Sequence, residues 1–133
     1  MVSNGIPFVD ITYARANHGA YLVLDARERV EFEVSHLAGS AWLGFDQPDW
    51  SVLDALPRDT KILVYCSVGL RSSLMVEKIR AAGFSEAYNL HRGMFGWVNR
   101  GFPIVNNKEQ PTDQIHCYNR LFGTWVHRGK KVY

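Results

Sequence analysis

Apolar residues recur along this chain in two arrangements. Tyr21-Leu-Val-Leu-Asp25 and Lys61-Ile-Leu-Val-Tyr-Cys66 are short, nearly continuous apolar runs, as expected of strands buried on both faces in a parallel sheet covered by helices. Ala87 to Leu90 reads as another short strand. Between these lie segments of helical spacing. From Arg71 to Ala82, the residues Leu74, Met75, Ile79 and Ala82 recur at intervals that put them on one face, and Gly83 is a fitting stop. Trp50, Leu53 and Leu56 mark a short amphipathic turn ended by Pro57. Gly93 to Gly101 reads as a helix with Met94, Trp97 and Val98 inward. Alternating strands and helices predict an α/β fold with a mostly parallel sheet.

The last residues carry a mixed signal. Tyr118, Leu121, Phe122 and Trp125 form a helical stripe, yet Trp125 to Tyr133 also fits a hairpin turning at Arg128-Gly129. Charge separates this stretch from the rest. Residues 1–105 have a net charge of −1 and residues 106–133 a net charge of +3. Pro103 and the polar run Asn106 to Pro111 mark the boundary. The chain thus divides into a body, 1–105, and a basic aromatic extension, 106–133. The aromatic stripe fits packing onto the body, with Trp125 substantially buried, or a homodimer surface.

Composition narrows the class. With 133 residues, 47% of them apolar, the chain suffices for one domain with a real core and excludes a disordered or collagen-like polymer. A net charge of +2 is too small to point to nucleic acid. No apolar run reaches membrane-spanning length. The first seven residues lack a basic segment followed by an apolar one, so a reducing cytoplasm is the expected location. Two cysteines make no disulfide scaffold, and each needs its own explanation.

Cys66 has a strong one. It ends a strand and is followed by Ser67, Val68, Gly69, Leu70, Arg71 and Ser72, which lead into a helix. In a parallel sheet the carboxyl ends of the strands face the ligand crevice. A loop entering a helix N-terminus directs several N–H groups at one spot and binds anions. A cysteine held there is expected to favour its nucleophilic thiolate. Gly69 allows the turn, and Arg71 supplies a positive fork for an oxyanion. Cys117 has no such surroundings and reads as an incidental or partly buried residue, with a resolving thiol in a relay with Cys66 as the alternative. His116, Cys117 and His127 lack the paired spacing of a zinc site, so no metal is expected.

These stretches resemble the rhodanese-like sulfurtransferase family. Leu24-Asp25-Ala26-Arg27 with Glu31-Phe32 resembles its first signature, and His36-Leu37-Ala38-Gly39-Ser40 its second. The run from Val64 to Ser73 resembles its active loop. Ala82-Gly83-Phe84, then Leu90, Gly93 and Trp97, then Gly101-Phe102-Pro103 resemble its closing segment. The resemblance spans about residues 21–105 and implies a central parallel sheet of about five strands with helices on both faces. It also implies transfer of a sulfane sulfur, without a cofactor, through a persulfide on Cys66. The donor would be thiosulfate or a persulfide, and the acceptor cyanide, a thiol or a protein. Asp25 and Arg27 are expected to brace the loops, because an ionised thiol needs no separate base; His36 is expected to be structural. One position departs from the family pattern: Arg92 stands where a first glycine is usual, with Gly93 after it. Arg92 is expected near the active loop, adding positive charge. Two alternatives remain. A non-catalytic binding module usually lacks the nucleophile. A cysteine-dependent phosphatase or arsenate reductase usually has five residues between Cys and Arg, against four here.

Overall fold

The computed structural model describes the backbone of residues 2–3 and 5–133 and the side chains of residues 5–120 and 122–133. The strands are β1 (Val2–Ser3), β2 (Ile6–Val9), β3 (Leu22–Asp25), β4 (Ala41–Trp42), β5 (Ile62–Tyr65), β6 (Ala87–Leu90), β7 (Ile104–Val105), β8 (Pro111–Thr112), β9 (Gln114–His116) and β10 (Lys130–Val132). The helices are α1 (Ile11–Asn17), α2 (Arg29–Val34), α3 (Leu70–Ala81), α4 (Gly93–Asn99) and α5 (Arg120–Gly123). The main sheet runs β1-β2-β6-β5-β3-β4. Its last five strands in that order are mutually parallel, and β1 is an antiparallel edge on β2. This is the α/β architecture that the alternating pattern predicts.

β5 lies at the centre, and every residue in it is buried. Its side chains alternate between two cores, as the two-residue period of a strand requires. Ile62 and Val64 pack with Met75, Val76 and Ile79 of α3. Leu63 and Tyr65 pack on the opposite side with Met94, Trp97 and Val98 of α4. The inward face of α3 differs from the predicted one. Ser72, Met75, Val76 and Ile79 are buried, whereas Leu74 and Ala82 are exposed. A polar residue, Ser72, holds the position that pure apolar spacing would give to a hydrophobe, because its hydroxyl bonds to Cys66 and Asn89.

β1, β2 and α1 add an edge to the sheet that the apolar pattern does not reveal. α1 is seven residues long and buries only Ile11 and Ala14, too few positions to set a helical period.

The extension is anchored through small inward residues. Ile115, Cys117 and Val126 are fully or almost fully buried in the α4-side core. Both expectations for its secondary structure hold in part. A helix forms, but only at Arg120–Gly123. A strand forms at Lys130–Val132, yet it pairs in parallel with β9 instead of turning back as a hairpin. Leu121, placed in the stripe by its spacing, has a side chain outside the described residues. Trp125 is 46% exposed, against the expectation of a buried ring. Its neighbour Val126 takes the core position, so Trp125 projects outward.

At Gly93 the backbone leaves no room for a side chain. Its φ is +56°, and an added Cβ would sit 2.5 Å from the Cys66 carbonyl oxygen and 2.8 Å from that of Ser67. Both neighbours are backbone and cannot step aside. Gly93→Ala is therefore expected to destabilise the protein by about 3 kcal/mol or more. Urea denaturation with an unchanged m-value would measure it. A midpoint equal to wild type would show that the α4 turn tolerates a side chain.

Candidate active site around Cys66

Cys66 follows β5 at the carboxyl edge of the sheet, and Gly69, with φ of +108°, caps α3. That turn brings the Gly69 N–H back onto the cysteine, where it donates to Sγ across 3.1 Å. The Ser72 hydroxyl, in the first turn of α3, lies 3.3 Å from the same sulfur. It also lies 2.5 Å from Asn89 Oδ1, while Asn89 Nδ2 donates to the Gly69 carbonyl across 3.1 Å. A hydroxyl has one proton to donate. Ser72 can therefore turn between Asn89 and the sulfur, and donation to Sγ is favoured when the sulfur carries charge. Asn89 on β6 is the clamp that holds both the turn and the hydroxyl. Its signature in the sequence is weak, since it is a lone polar residue in a short strand.

The loop is held from behind by α4. Met94 N–H donates to the Cys66 carbonyl across 2.8 Å, and Phe95 N–H donates to that of Ser67 across 3.0 Å. These are helix N-terminal amides, which have no partner within their own helix. Arg92, just before them, has φ of +66°, the left-handed region that favours glycine. Its backbone nitrogen lies 4.0 Å from where a Gly69 Cβ would be, and its side chain is exposed. The expected nearness of Arg92 to the loop is thus a property of its backbone, with the guanidinium at the rim.

Arg71 has a different role from the one its spacing suggests. Nη1 donates to Glu31 Oε2 across 2.9 Å, and Nη2 to Glu31 Oε1 across 3.2 Å and to Ser67 Oγ across 3.0 Å. Burial works against the guanidinium charge, but the Glu31 carboxylate more than offsets it and holds the Arg71 pKa above the usual value. Arg71 is thus a pillar between α2 and the loop, and much of its charge is balanced locally. Glu31 is fully buried and also accepts from the Glu28 N–H at the start of α2. In the sequence it is legible only as part of the first of the family-like signatures, beside Phe32.

Asp25 and Arg27 form a second, deeper pair, both fully buried, with Nη2 to Oδ2 at 2.7 Å. The Arg27 Nη2 also donates to the Ser35 carbonyl across 2.7 Å. The Asp25 backbone carbonyl accepts from Leu43 and Gly44. Such bonds brace loops: Arg27 bonds to Asp25 and to the Ser35 carbonyl, away from Sγ. His36 is likewise structural: its ring stacks on Phe32 at 3.9 Å, and its two nitrogens face the Phe32 carbonyl and Glu109.

A cavity of about 150 Å³ opens above Cys66. Ser67, Val68, Leu70 and Arg71 line it from the loop, and Tyr118 and Phe122 line it from the extension. The sequence pattern singles out these two aromatic rings only as core or interface residues. Cys117, their neighbour, is a core thiol: burial pushes its pKa up, and Sγ lies 3.6 Å from the Ile115 carbonyl.

The family model for the Rhodanese-like domain matches residues 9–100. The chain belongs to this family. A rhodanese-related protein from Thermoplasma volcanium aligns at 28% identity with a TM-score of 0.62, over 74% of this chain and 97% of that one. A thiosulfate sulfurtransferase from Pseudomonas aeruginosa aligns at 25% identity with a TM-score of 0.66, over 76% of this chain but 20% of that one. Among curated relatives, the probable adenylyltransferase/sulfurtransferase MoeZ of Mycobacterium tuberculosis is 29% identical over 61% of this chain and 21% of its own length. Thiosulfate sulfurtransferase 18 of Arabidopsis thaliana is 37% identical over 38% of each chain. The match spans less than two thirds of the length of either relative. The rhodanese match ends before the extension, so Tyr118 and Phe122 are additions to the part that identifies the family. Among the described residues, no helix is long and apolar enough to cross a membrane.

The Asp25–Arg27 pair gives a sharp stability test. Arg27→Met leaves a carboxylate buried without its partner, which is expected to cost about 3–5 kcal/mol. Adding Asp25→Asn removes that charge and is expected to recover part of the loss. Denaturant midpoints of the two single variants and the double variant measure the coupling; strict additivity would show that the pair is not coupled.

Proposed function

We propose that this rhodanese-like protein is a sulfurtransferase that carries a sulfane sulfur as a persulfide on Cys66. The observation that carries the reading is the placement of Sγ on the cavity floor, facing the Gly69 N–H at 3.1 Å and the Ser72 hydroxyl at 3.3 Å. The Gly69 N–H is fixed before reaction and stabilises negative sulfur without reorganising, and the Ser72 hydroxyl turns from Asn89 to join it.

The Cys66 thiolate attacks the outer sulfur of thiosulfate. The sulfur–sulfur bond of the donor breaks, sulfite leaves with the electron pair, and Cys66–S–S⁻ remains. A thiolate acceptor, on a small molecule or on a protein, then attacks the outer sulfur. It departs as a persulfide and restores the Cys66 thiolate. This is double-displacement covalent catalysis. The outer sulfur lies one bond beyond Sγ, toward the first turn of α3, where N–H groups lack intrahelical partners. No separate proton-transfer residue is needed, in keeping with the structural bonding of Asp25, Arg27 and His36. Phosphoryl transfer is disfavoured because the guanidinium of Arg71 is engaged by Glu31.

The test is intact-mass spectrometry after thiosulfate treatment. Wild type is expected to gain one sulfur atom, lost again on reduction. Cys66→Ser should gain none and lose thiosulfate:cyanide activity, while Cys117→Ser should keep most of it. Full activity in Cys66→Ser would overturn the mechanism, and a comparable loss in Cys117→Ser would implicate a two-cysteine relay.

Arg92 provides a second test. Replacing it with glycine removes a left-handed strain of about 1 kcal/mol and is expected to raise the melting temperature. It also removes a positive charge from the rim. The Michaelis constant for thiosulfate should rise by about two- to threefold, with turnover changed less and with a shallower salt dependence. Steady-state kinetics across ionic strength would decide it, and identical curves would place the guanidinium out of electrostatic reach.

A further inference from the structure

The cavity over Cys66 is poorly matched to a small hydrated dianion. Val68, Leu70, Tyr118 and Phe122 make up its walls, and the one cation lining it, Arg71, is already paired with Glu31. The cavity adjoins a groove of about 400 Å³ that shares Val68 and Leu70 and continues past Phe95 to Trp125, with Arg92 and Asn99 also lining it. The Phe122 and Trp125 rings stack across this path, with centroids 5.1 Å apart and planes 27° apart. An apolar wall beside one exposed guanidinium favours a monoanionic donor that carries a flat apolar group over a small hydrated dianion.

The extension is built to hold these rings in place. Tyr118 has φ of +71°, uncommon for a non-glycine residue, and its N–H donates to His116 Nδ1 across 3.0 Å. Its ring lies under the Arg71 guanidinium, 4.8 Å from centroid to Cζ. Phe95 of α4 meets the Phe122 ring edge-on at 6.5 Å. Asn99 of α4 pins the Trp125 segment, donating to the Trp125 carbonyl across 2.8 Å and accepting from the His127 N–H across 2.6 Å. Backbone strain is retained where the surroundings enforce it, and here it sets an aromatic ring at the mouth of a reactive site. Leu70 and Trp125, although exposed, both line the groove. Trp125 is therefore left outside the core as part of that surface.

We propose that Tyr118, Phe122 and Trp125 form an aryl-binding wall that selects sulfur donors whose sulfane sulfur is carried on a flat, apolar organic group. This rests on the persulfide reading of Cys66. With an organic thiosulfonate, R–SO₂–S⁻, the Cys66 thiolate attacks the terminal sulfur, the sulfur–sulfur bond breaks, and the sulfinate R–SO₂⁻ leaves with the electron pair. With an organic persulfide, R–S–S⁻, the leaving group is the thiolate R–S⁻. In both cases R lies along the Phe122–Trp125 stack while the terminal sulfur enters the Cys66 cavity.

The experiment compares benzenethiosulfonate with methanethiosulfonate, two monoanions that differ in the ring, and with thiosulfate. Cys66 loading in the full chain is followed by intact mass, and each rate is divided by the donor's rate with free cysteine. The normalised preference for the benzene compound over the methane compound should be about tenfold in wild type. Phe122→Ala should lower that preference severalfold. Phe122→Leu, which keeps an apolar side chain and the packing of the extension, should lower it as well. Equal normalised rates for the two thiosulfonates in wild type would overturn the aryl wall. So would a preference that survives both Phe122 substitutions. Failure of all three donors to load Cys66 would instead overturn the persulfide reading and the wall with it.

Discussion

The geometry at Cys66 depends on two hydrogen bonds behind it. The first N–H groups of a helix need partners from outside that helix. In α4 the N–H groups of Met94 and Phe95 find them in the Cys66 and Ser67 carbonyls. With these carbonyls bonded to α4, the Gly69 N–H turns toward the sulfur. The arrangement satisfies buried backbone groups of both elements at once. It requires the approach that only a glycine at position 93 permits, and it leaves Arg92 in the left-handed region immediately before.

Around that core stand two ion pairs, one fully buried and one partly buried. Asp25–Arg27 ties the end of β3 to the segment after α2, and Glu31–Arg71 ties the start of α2 to the loop. Pairs of this kind contribute little net stability, because desolvation offsets the attraction. Their effect here is positional. Each bidentate contact fixes the angle between elements that the apolar core alone would leave adjustable. The Glu31–Arg71 pair also lowers the positive potential in the cavity.

The extension joins this arrangement from outside the family-matched region. Ile115, Cys117 and Val126 supply its apolar anchorage, and β9 and β10 pair with each other to satisfy its backbone. This leaves its larger rings free to border the cavity. The apolar residues of 106–133 therefore divide into two sets: inward ones that hold the segment down, and aromatic ones that border the cavity over Cys66.

By itself the sequence determined the parallel α/β fold and the place of Cys66 at the carboxyl end of a strand. Continuous apolar runs such as Ile62–Tyr65 can be buried only between two helical layers, and Cys66 through Ser72 is a local unit whose strand, turn and helix start are all within one short stretch. The structural roles of Asp25, Arg27 and His36 were legible for the same reason, through motifs that are contiguous in the chain. What only the tertiary structure decided lies in contacts between distant segments. Glu31 and Arg71 are forty residues apart and meet through the packing of α2 on the loop. Asn89 reaches Ser72 only because β6 adjoins β5. Trp125 has the apolar character of a core residue, but one position along the chain Val126 reached the core first. Tyr118 and Phe122 border Cys66 because the extension folds back over the carboxyl edge of the sheet. Local periodicity records which side chains prefer to leave water; it does not record which partner, across the fold, each one finds when it does.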